Sequence, residues 1–209
     1  MRFSWIQFAI AMCAIVAVSN YLVQFPVQAT LGPVSLADML TWGAFTYPVA
    51  FFVTDITNRR FGPKKARYTV LAGFVLAMSL SFWLATPQIA VASGSAFLVA
   101  QLLDITVFDL LRRSHWWKAP LISTVLGSTI DTMMFFSIAF STSLAFGRVD
   151  EFAVEAAPLL GFIPIAEPRW VSWALGDLVV KLVVGLAMLA PYGAIVKSSL
   201  PVWRSGGRA

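Results

Sequence analysis

One ionisable residue, Asp131, stands in the middle of the apolar stretch from Ala119 to Phe146. An aspartate at the centre of a membrane helix costs about 2.5–3.5 kcal/mol on insertion scales. Such a residue normally faces the interior of a helix bundle and marks the path of a substrate or an ion. The side chains around it are small or polar, which permits close helix packing and hydrogen bonding: Ser123, Thr124, Gly127, Ser128, Thr129 and Thr132. We therefore interpret Asp131 as the centre of a polar site inside an otherwise apolar protein.

Amide and acidic side chains elsewhere occur in pairs that share one face of a helix, because their members are three or four residues apart. Asn20 and Gln24 form one such pair, and Gln101 and Asp104 form another. An amide donates and accepts hydrogen bonds at once, which suits the edge of a flat polar ligand. Hydrogen bonding between helices explains Asn20 and Gln24 equally well, whereas the depth of Asp104 favours an inward-facing functional role.

Two further pairs place an acid four residues before a base, which is the order that stabilises a helix. Asp177 and Lys181 can neutralise one another inside the membrane, either as a structural pair or as a pair that opens when a substrate or proton competes for Asp177. Asp55 and Arg59 fall near a helix end, and we predict that they form a structural or gating ion pair.

Aromatic residues supply a candidate wall for a flat ring. Trp42 and Phe45 are about one helical turn apart and lie inside an apolar segment. We expect one of them to stack against a planar ligand.

The composition is that of an integral membrane protein. Of 209 residues, 59% are hydrophobic and 12% are charged, against about 25% charged residues in soluble domains. One cysteine, Cys13, excludes an internal disulfide, and one histidine, His115, excludes a histidine-cluster metal site. The chain has no ATP-binding loop motif. We therefore predict no metal, no cofactor and no enzymatic activity.

Six apolar segments are each close to the roughly 20 residues that a bilayer requires. The sequence predicts one membrane domain over 1–209, an all-α bundle of six transmembrane helices at about 5–24, 36–58, 68–85, 89–111, 119–146 and 170–196. A cleaved signal peptide is a competing interpretation of the first segment, but its apolar run is too long. The connection over 148–169 is the longest, and we expect it to cover the outer surface as a lid.

The basic residues alternate between connections. Twelve of the fifteen lysines and arginines fall at the chain ends or in the connections after the second and fourth segments. Because positive charge accumulates on the cytoplasmic side, this pattern predicts that both termini are cytoplasmic. The net charge of +5 is thereby explained without nucleic-acid binding, and contact with anionic lipid is an open role.

Long strings of the sequence resemble the queuosine precursor transporter family, once grouped with vitamin uptake transporters. The strings, in chain order, are SNYLVQFPV, TWGAFTYPVAFFVTDITNRRFG, QLLDITVFDLLRR, HWWKAPLISTVLGSTIDTMMFFSIAF and GDLVVKLVVGLAMLAPYG. The resemblance spans about Ser19 to Gly193 and is weakest over 85–97 and 148–170.

The resemblance implies import of 7-deazaguanine bases, 7-cyano-7-deazaguanine or its aminomethyl relative, across the cell inner membrane. A carboxylate can accept both donors on the guanine-like edge of such a base. Asp131 or Asp177 would take that edge. The other expected contacts are Asn20, Gln24, Gln101, Asp104 and Lys181, with Trp42 or Phe45 stacking.

Other functions remain open alternatives at this stage. A chain of this size also resembles the substrate-binding subunits of energy-coupling vitamin transporters, which need partner ATPases. An intramembrane enzyme is a weaker alternative because no nucleophile lies beside a base. The driving force and the formation of a homodimer are left open.

Overall fold

The computed structural model describes residues 4–32, 34–143 and 150–199, and most of these are helical. Within the described chain, five helices are long and apolar enough to cross a membrane. They are α1 (Trp5–Leu22), α4 (Pro63–Leu84), α5 (Pro87–Leu111), α6 (Lys118–Phe140) and α8 (Arg169–Ser199). Two short helices, α2 (Gly43–Thr46) and α3 (Val49–Phe61), lie between α1 and α4.

Local sequence signals set where these helices begin. Ser4 and Gln7 form a capping box at the start of α1, so two amides of the first turn find partners. Thr86 accepts a hydrogen bond from the Ile89 amide at the start of α5. Gly62 separates α3 from α4 with a φ of 83°, a backbone conformation that favours glycine.

The predicted second helix, over 36–58, is corrected by the structure. Residues 36–42 lie outside any helix, and Pro48 separates α2 from α3. Proline has no amide hydrogen, and its ring clashes with the carbonyl four residues earlier. With 13 residues, α3 is about 20 Å long, shorter than the roughly 30 Å apolar core of a bilayer. Helix α3 alone is therefore too short to cross a membrane.

The other predicted segments overlap α1, α4, α5, α6 and α8, with shifted ends. The predicted start at 68 moves to Pro63 in α4, because Gly62 alone breaks the chain there. The predicted fifth segment, 119–146, reaches 140 as a helix, and its residues 144–146 lie outside the described part of the chain.

The connections hold two antiparallel hairpins. The first pairs β1 (Thr30–Leu31) with β2 (Val34–Ser35). In the connection predicted to be a lid, α7 (Glu151–Val154) is followed by β3 (Ala156–Leu159) and β4 (Ile163–Pro168). The guanidinium of Arg169 contacts the Glu155 carboxylate at 3.1 Å and stacks over the Phe152 ring.

Helices α1, α4 and α6 run toward one end of the bundle, and α3, α5 and α8 run back, so the first and last described residues lie at the same end. At this end Lys65 of α4 lies over Trp5 of α1, and Lys197 of α8 lies over Trp116. We call it the basic end. The opposite end, called the cavity end, joins α1 to α2 through a hydrogen bond from Ser19 to Thr46.

Helix α2 lies directly against the last turn of α1 because residue 43 has no side chain. A Cβ atom at Gly43 would lie 2.9 Å from the backbone nitrogen of Val23 and 3.0 Å from the carbonyl oxygen of Ser19. Both are backbone atoms and cannot rotate away. A larger residue would separate α1 from α2.

We predict that Gly43→Ala lowers the stability of the protein by about 1–3 kcal/mol, the usual cost of overpacking. Thermal unfolding in detergent is the measurement. Gly176→Ala is the matched control, since its Cβ would meet only side-chain atoms, the nearest at 3.4 Å on Leu40. Equal unfolding temperatures for the two variants would contradict the close packing of α1 and α2.

Candidate functional site

A cavity of about 410 Å³ opens at the cavity end of the bundle. This volume lies in the range of sites for small molecules. Its walls come from the last turns of α1, α4 and α6, from α2, and from the first turns of α5 and α8.

Lys181 of α8 is held between two carboxylates in this cavity. Its Nζ atom lies 2.7 Å from Oδ2 of Asp131 on α6 and also contacts Oδ2 of Asp177, one turn earlier on α8. A third hydrogen bond of 3.2 Å reaches the Thr132 hydroxyl. All three ammonium hydrogens of Lys181 therefore have acceptors within the protein.

The three charged groups are nearly removed from solvent. The side chains of Lys181 and Asp131 are each 5% exposed, and that of Asp177 is 15% exposed. An unpaired charge in such surroundings would be very costly, but mutual pairing and hydrogen bonds offset much of the desolvation. Two carboxylates and one ammonium leave a formal net charge of −1, which favours a ligand with hydrogen-bond donors.

The two carboxylates are not equivalent. Asp131 uses both oxygens, since Oδ1 accepts a hydrogen bond from the Tyr47 hydroxyl at 3.1 Å and Oδ2 accepts from Lys181. Asp177 uses one, Oδ2, which accepts from Lys181 and from the Thr132 hydroxyl at 2.8 Å. Among the described residues, Oδ1 of Asp177 has no donor, so of the two carboxylates that hold Lys181 it is Asp177 that offers an oxygen to a ligand; the exposed Asp38 also lines the cavity.

Aromatic rings form one wall beside these charges. Phe136 and Phe140 line the cavity from α6, and Trp173 lines it from α8. The rings of Phe140 and Trp173 meet edge to face with centroids 5.5 Å apart. Tyr47 adds a ring beside Asp131. A planar ligand would find aromatic faces and a carboxylate in one site.

Both predicted amides of α1 reach the cavity. Asn20 lines it, but its amide donates to the Val16 carbonyl and accepts from the Ser81 hydroxyl. Gln24 lines it near the mouth, is exposed, and has no hydrogen-bond partner for its side chain within the ranges that the structure describes. Of the two, Gln24 is thus the one free to contact a ligand.

Four other predicted contacts lie outside the cavity lining. Trp42 is half exposed and packs against Phe45, which belongs to a cluster around Leu40. Gln101 and Asp104 are fully buried deeper in the bundle, toward the basic end. The cavity therefore takes its ring surfaces from the ends of α6 and α8 rather than from Trp42 and Phe45.

The predicted ion pair of Asp55 with Arg59 is not formed among the described residues. The Arg59 guanidinium donates to the Arg112 carbonyl at 2.9 Å, and Arg112 donates to the Asn58 carbonyl at 2.6 Å. These bonds join α3 to the end of α5. Asp55 instead accepts a long hydrogen bond of 3.4 Å from the Ser123 hydroxyl of α6.

Comparison with known proteins gives a consistent set of relatives. Residues 41–86 and 80–195 match a sequence family described as "Putative vitamin uptake transporter". A Haemophilus influenzae protein named "Probable queuosine precursor transporter" is 34% identical over 87% of this chain and 82% of its own length. The "Queuosine precursor transporter" of Escherichia coli is 33% identical over 89% of this chain and 83% of its own length. The chain belongs to the queuosine precursor transporter family.

A more distant family member, the "Probable queuosine precursor transporter" of Bacillus subtilis, is 26% identical over 95% of this chain and 84% of its own length. No solved structure matches the chain. The transporter names agree with the expectation that this family member is a multi-pass membrane protein and not an enzyme. Within the described residues, no group of three or more metal-ligating side chains is present.

The aromatic wall of this family member escaped the sequence analysis, although a signal for it existed. Phe135 also lines the cavity and is four residues after Asp131, so its spacing placed an aromatic ring on the same face of the helix. Tyr47 could not be linked to Asp131 from sequence, because 84 residues separate them.

We predict that Lys181→Met lowers the stability of the transporter by about 3–5 kcal/mol, because it leaves two buried carboxylates without a cation. Adding Asp131→Asn to this variant restores the formal charge of −1 and is expected to recover most of the loss. Thermal unfolding of both variants in detergent checks this. A double variant less stable than Lys181→Met would contradict the charge balance.

Proposed function

We propose that this chain imports a queuosine precursor, a 7-deazaguanine base, across the cell inner membrane and binds it in the cavity. The proposal covers 7-cyano-7-deazaguanine and its aminomethyl relative. The observation that carries it is a free carboxylate oxygen on Asp177 beside an aromatic wall. The names of the bacterial relatives supply the substrate class.

The donor edge of the base meets Asp177. A deazaguanine presents a ring N–H and an exocyclic amine side by side, and a carboxylate accepts from such donors. Oδ1 of Asp177 takes one of them, and the contact between Asp177 and Lys181 lengthens when the second donor competes for Oδ2. Asp131 keeps Lys181 in place throughout, because it approaches from another helix.

The ring of the base lies against Phe136, Phe140 and Trp173. Stacking of a base on an aromatic side chain contributes about 1–3 kcal/mol. Isolated bases are commonly read by such rings together with hydrogen bonds to their polar edge. Gln24, at the mouth, can turn its amide toward the carbonyl of the base.

The proposed topology has six crossings, with α2 and α3 together forming the second. Both described ends of the chain lie at the basic end, where Lys65 and Lys197 pack on tryptophans. Basic residues accumulate on the cytoplasmic side of a membrane. The cavity then opens to the outside, as an importer requires for substrate entry, and the lysines at the basic end face anionic lipid.

We predict that Asp177→Asn weakens binding of 7-cyano-7-deazaguanine about 10- to 100-fold, since a hydrogen bond to a charged group contributes about 1.5–3 kcal/mol. Uptake of labelled base by cells that lack their own transporter is the measurement, with protein amount checked. Asp131→Asn is expected to lose uptake too, because it releases Lys181.

Asp150→Asn is the matched control for these variants. Asp150 caps α7 by accepting from the Phe152 amide, and asparagine caps a helix equally well. Uptake at the normal rate by both Asp177→Asn and Asp131→Asn would place the binding site elsewhere. The purified chain in proteoliposomes should suffice for uptake, and a requirement for an added ATPase would contradict transport by this chain alone.

A further inference from the structure

A second acidic site lies deeper in the bundle, between the cavity and the basic end. Asp55 of α3 is 2% exposed and Asp104 of α5 is fully buried. Their carboxyl groups are neighbours inside the bundle. The Ser123 hydroxyl of α6 donates to Oδ1 of Asp55 at 3.4 Å.

The Asp55–Asp104 pair needs a bound proton to relieve charge repulsion and to supply a hydrogen-bond donor. If both groups are ionised, two negative charges meet in an apolar interior, and carboxylates this close cannot both ionise readily. Neither oxygen of Asp104 has a hydrogen-bond donor among the described residues in that state. A proton on either carboxyl removes the repulsion and joins the two groups by a hydrogen bond.

No described cation compensates the pair as Lys181 compensates Asp131. Arg59 is four residues after Asp55 on α3, but its guanidinium donates to the Arg112 carbonyl. From α8, Tyr192 faces Asp55 across a cavity of about 10 Å³, the space of about one water molecule. The Tyr192 side chain is 1% exposed, and its hydroxyl has no partner in the described part of the chain.

A column of buried polar groups leads from the substrate cavity to this pair. On α6, the buried Ser128 and Ser123 lie between Asp131 and the basic end, so the column is about 12 Å long. On α5, Gln101 accepts from the Thr54 hydroxyl at 2.6 Å one turn above Asp104. The Gln101 amide nitrogen and the Ser128 hydroxyl are buried without partners inside the described bundle.

We propose that the Asp55–Asp104 pair is a proton-binding site that couples import of the base to the proton gradient. This inference rests on the proposed function. The proton enters from the cavity along the column and binds one carboxyl oxygen, with Ser123 and Tyr192 as hydrogen-bond partners. It leaves to the cytoplasm when the contacts between Asn58, Arg59 and Arg112 separate and admit water.

The position of the Asp55–Asp104 pair makes proton binding and release conditional on transport of the base. In this structure the hydrogen bonds of Arg59 and Arg112 hold α3 against the end of α5 at the basic end. In the proposed cycle the pair exchanges its proton with the cavity while these bonds are formed, and with the cytoplasm once they separate. One proton then crosses with each base, and no covalent bond of the substrate changes.

The test uses purified protein in proteoliposomes with the membrane potential clamped at zero. Labelled 7-cyano-7-deazaguanine is supplied outside at one pH unit more acidic than inside. One proton per base predicts about tenfold accumulation, because one pH unit corresponds to about 1.36 kcal/mol. A sodium gradient at equal pH is expected to give no accumulation.

Asp104→Asn separates coupling from transport, because an amide imitates a protonated carboxyl that cannot release its proton. This variant is expected to exchange internal for external base at close to the normal rate and to lose pH-driven accumulation. Asp150→Asn, outside the bundle, should keep both activities.

The outcomes distinguish the two proposals. Exchange of the base by the unaltered protein without any response to pH overturns the proton site and leaves the proposed function standing. The same holds for accumulation driven by sodium, or for Asp104→Asn with full pH-driven accumulation. Absence of both binding and exchange of 7-deazaguanines overturns the proposed function itself.

Discussion

Lys181 is held between a carboxylate of its own helix and one of a neighbouring helix, in surroundings that solvent hardly reaches. This arrangement constrains everything around it. Without Asp131 the lysine would keep only the Thr132 hydroxyl as a partner on α6, and without Lys181 the two acids would repel each other. The ion pairs join α6 to α8 at the cavity, so the ends of these helices bring Phe140 and Trp173 together as a wall. One oxygen of Asp177 remains for a ligand.

The two acidic sites of the protein differ in how their charge is balanced. In the cavity, an ammonium group balances the carboxylates permanently, so the site can receive a neutral base with donors. Deeper in the bundle, Asp55 and Asp104 have no such cation and depend on a proton. Burial is costly for charge in either place. The first site has the properties of a binding site, and the second has those of an ion site that loads and unloads.

The sequence predicted the parts of this account that depend on one helix. The four-residue spacing placed Asp177 beside Lys181, and the cost of a charge inside a membrane marked Asp131 as an inward-facing residue. Prediction from the sequence failed where contacts cross between helices. Tyr47 reaches Asp131, and Asp55 lies against Asp104 instead of Arg59. The relative rotation and register of packed helices decide such contacts, and periodicity does not encode them. The separation of α2 from α3 depends on Pro48, where the sequence predicted one continuous helix over 36–58.

The most direct test of the central claim is a structure of the protein with 7-cyano-7-deazaguanine bound. The account predicts that the donor edge of the base contacts Oδ1 of Asp177, with its ring against Phe136 and Trp173, while Lys181 stays on Asp131. A base bound outside the cavity would contradict it. So would a base in the cavity that leaves Asp177 untouched.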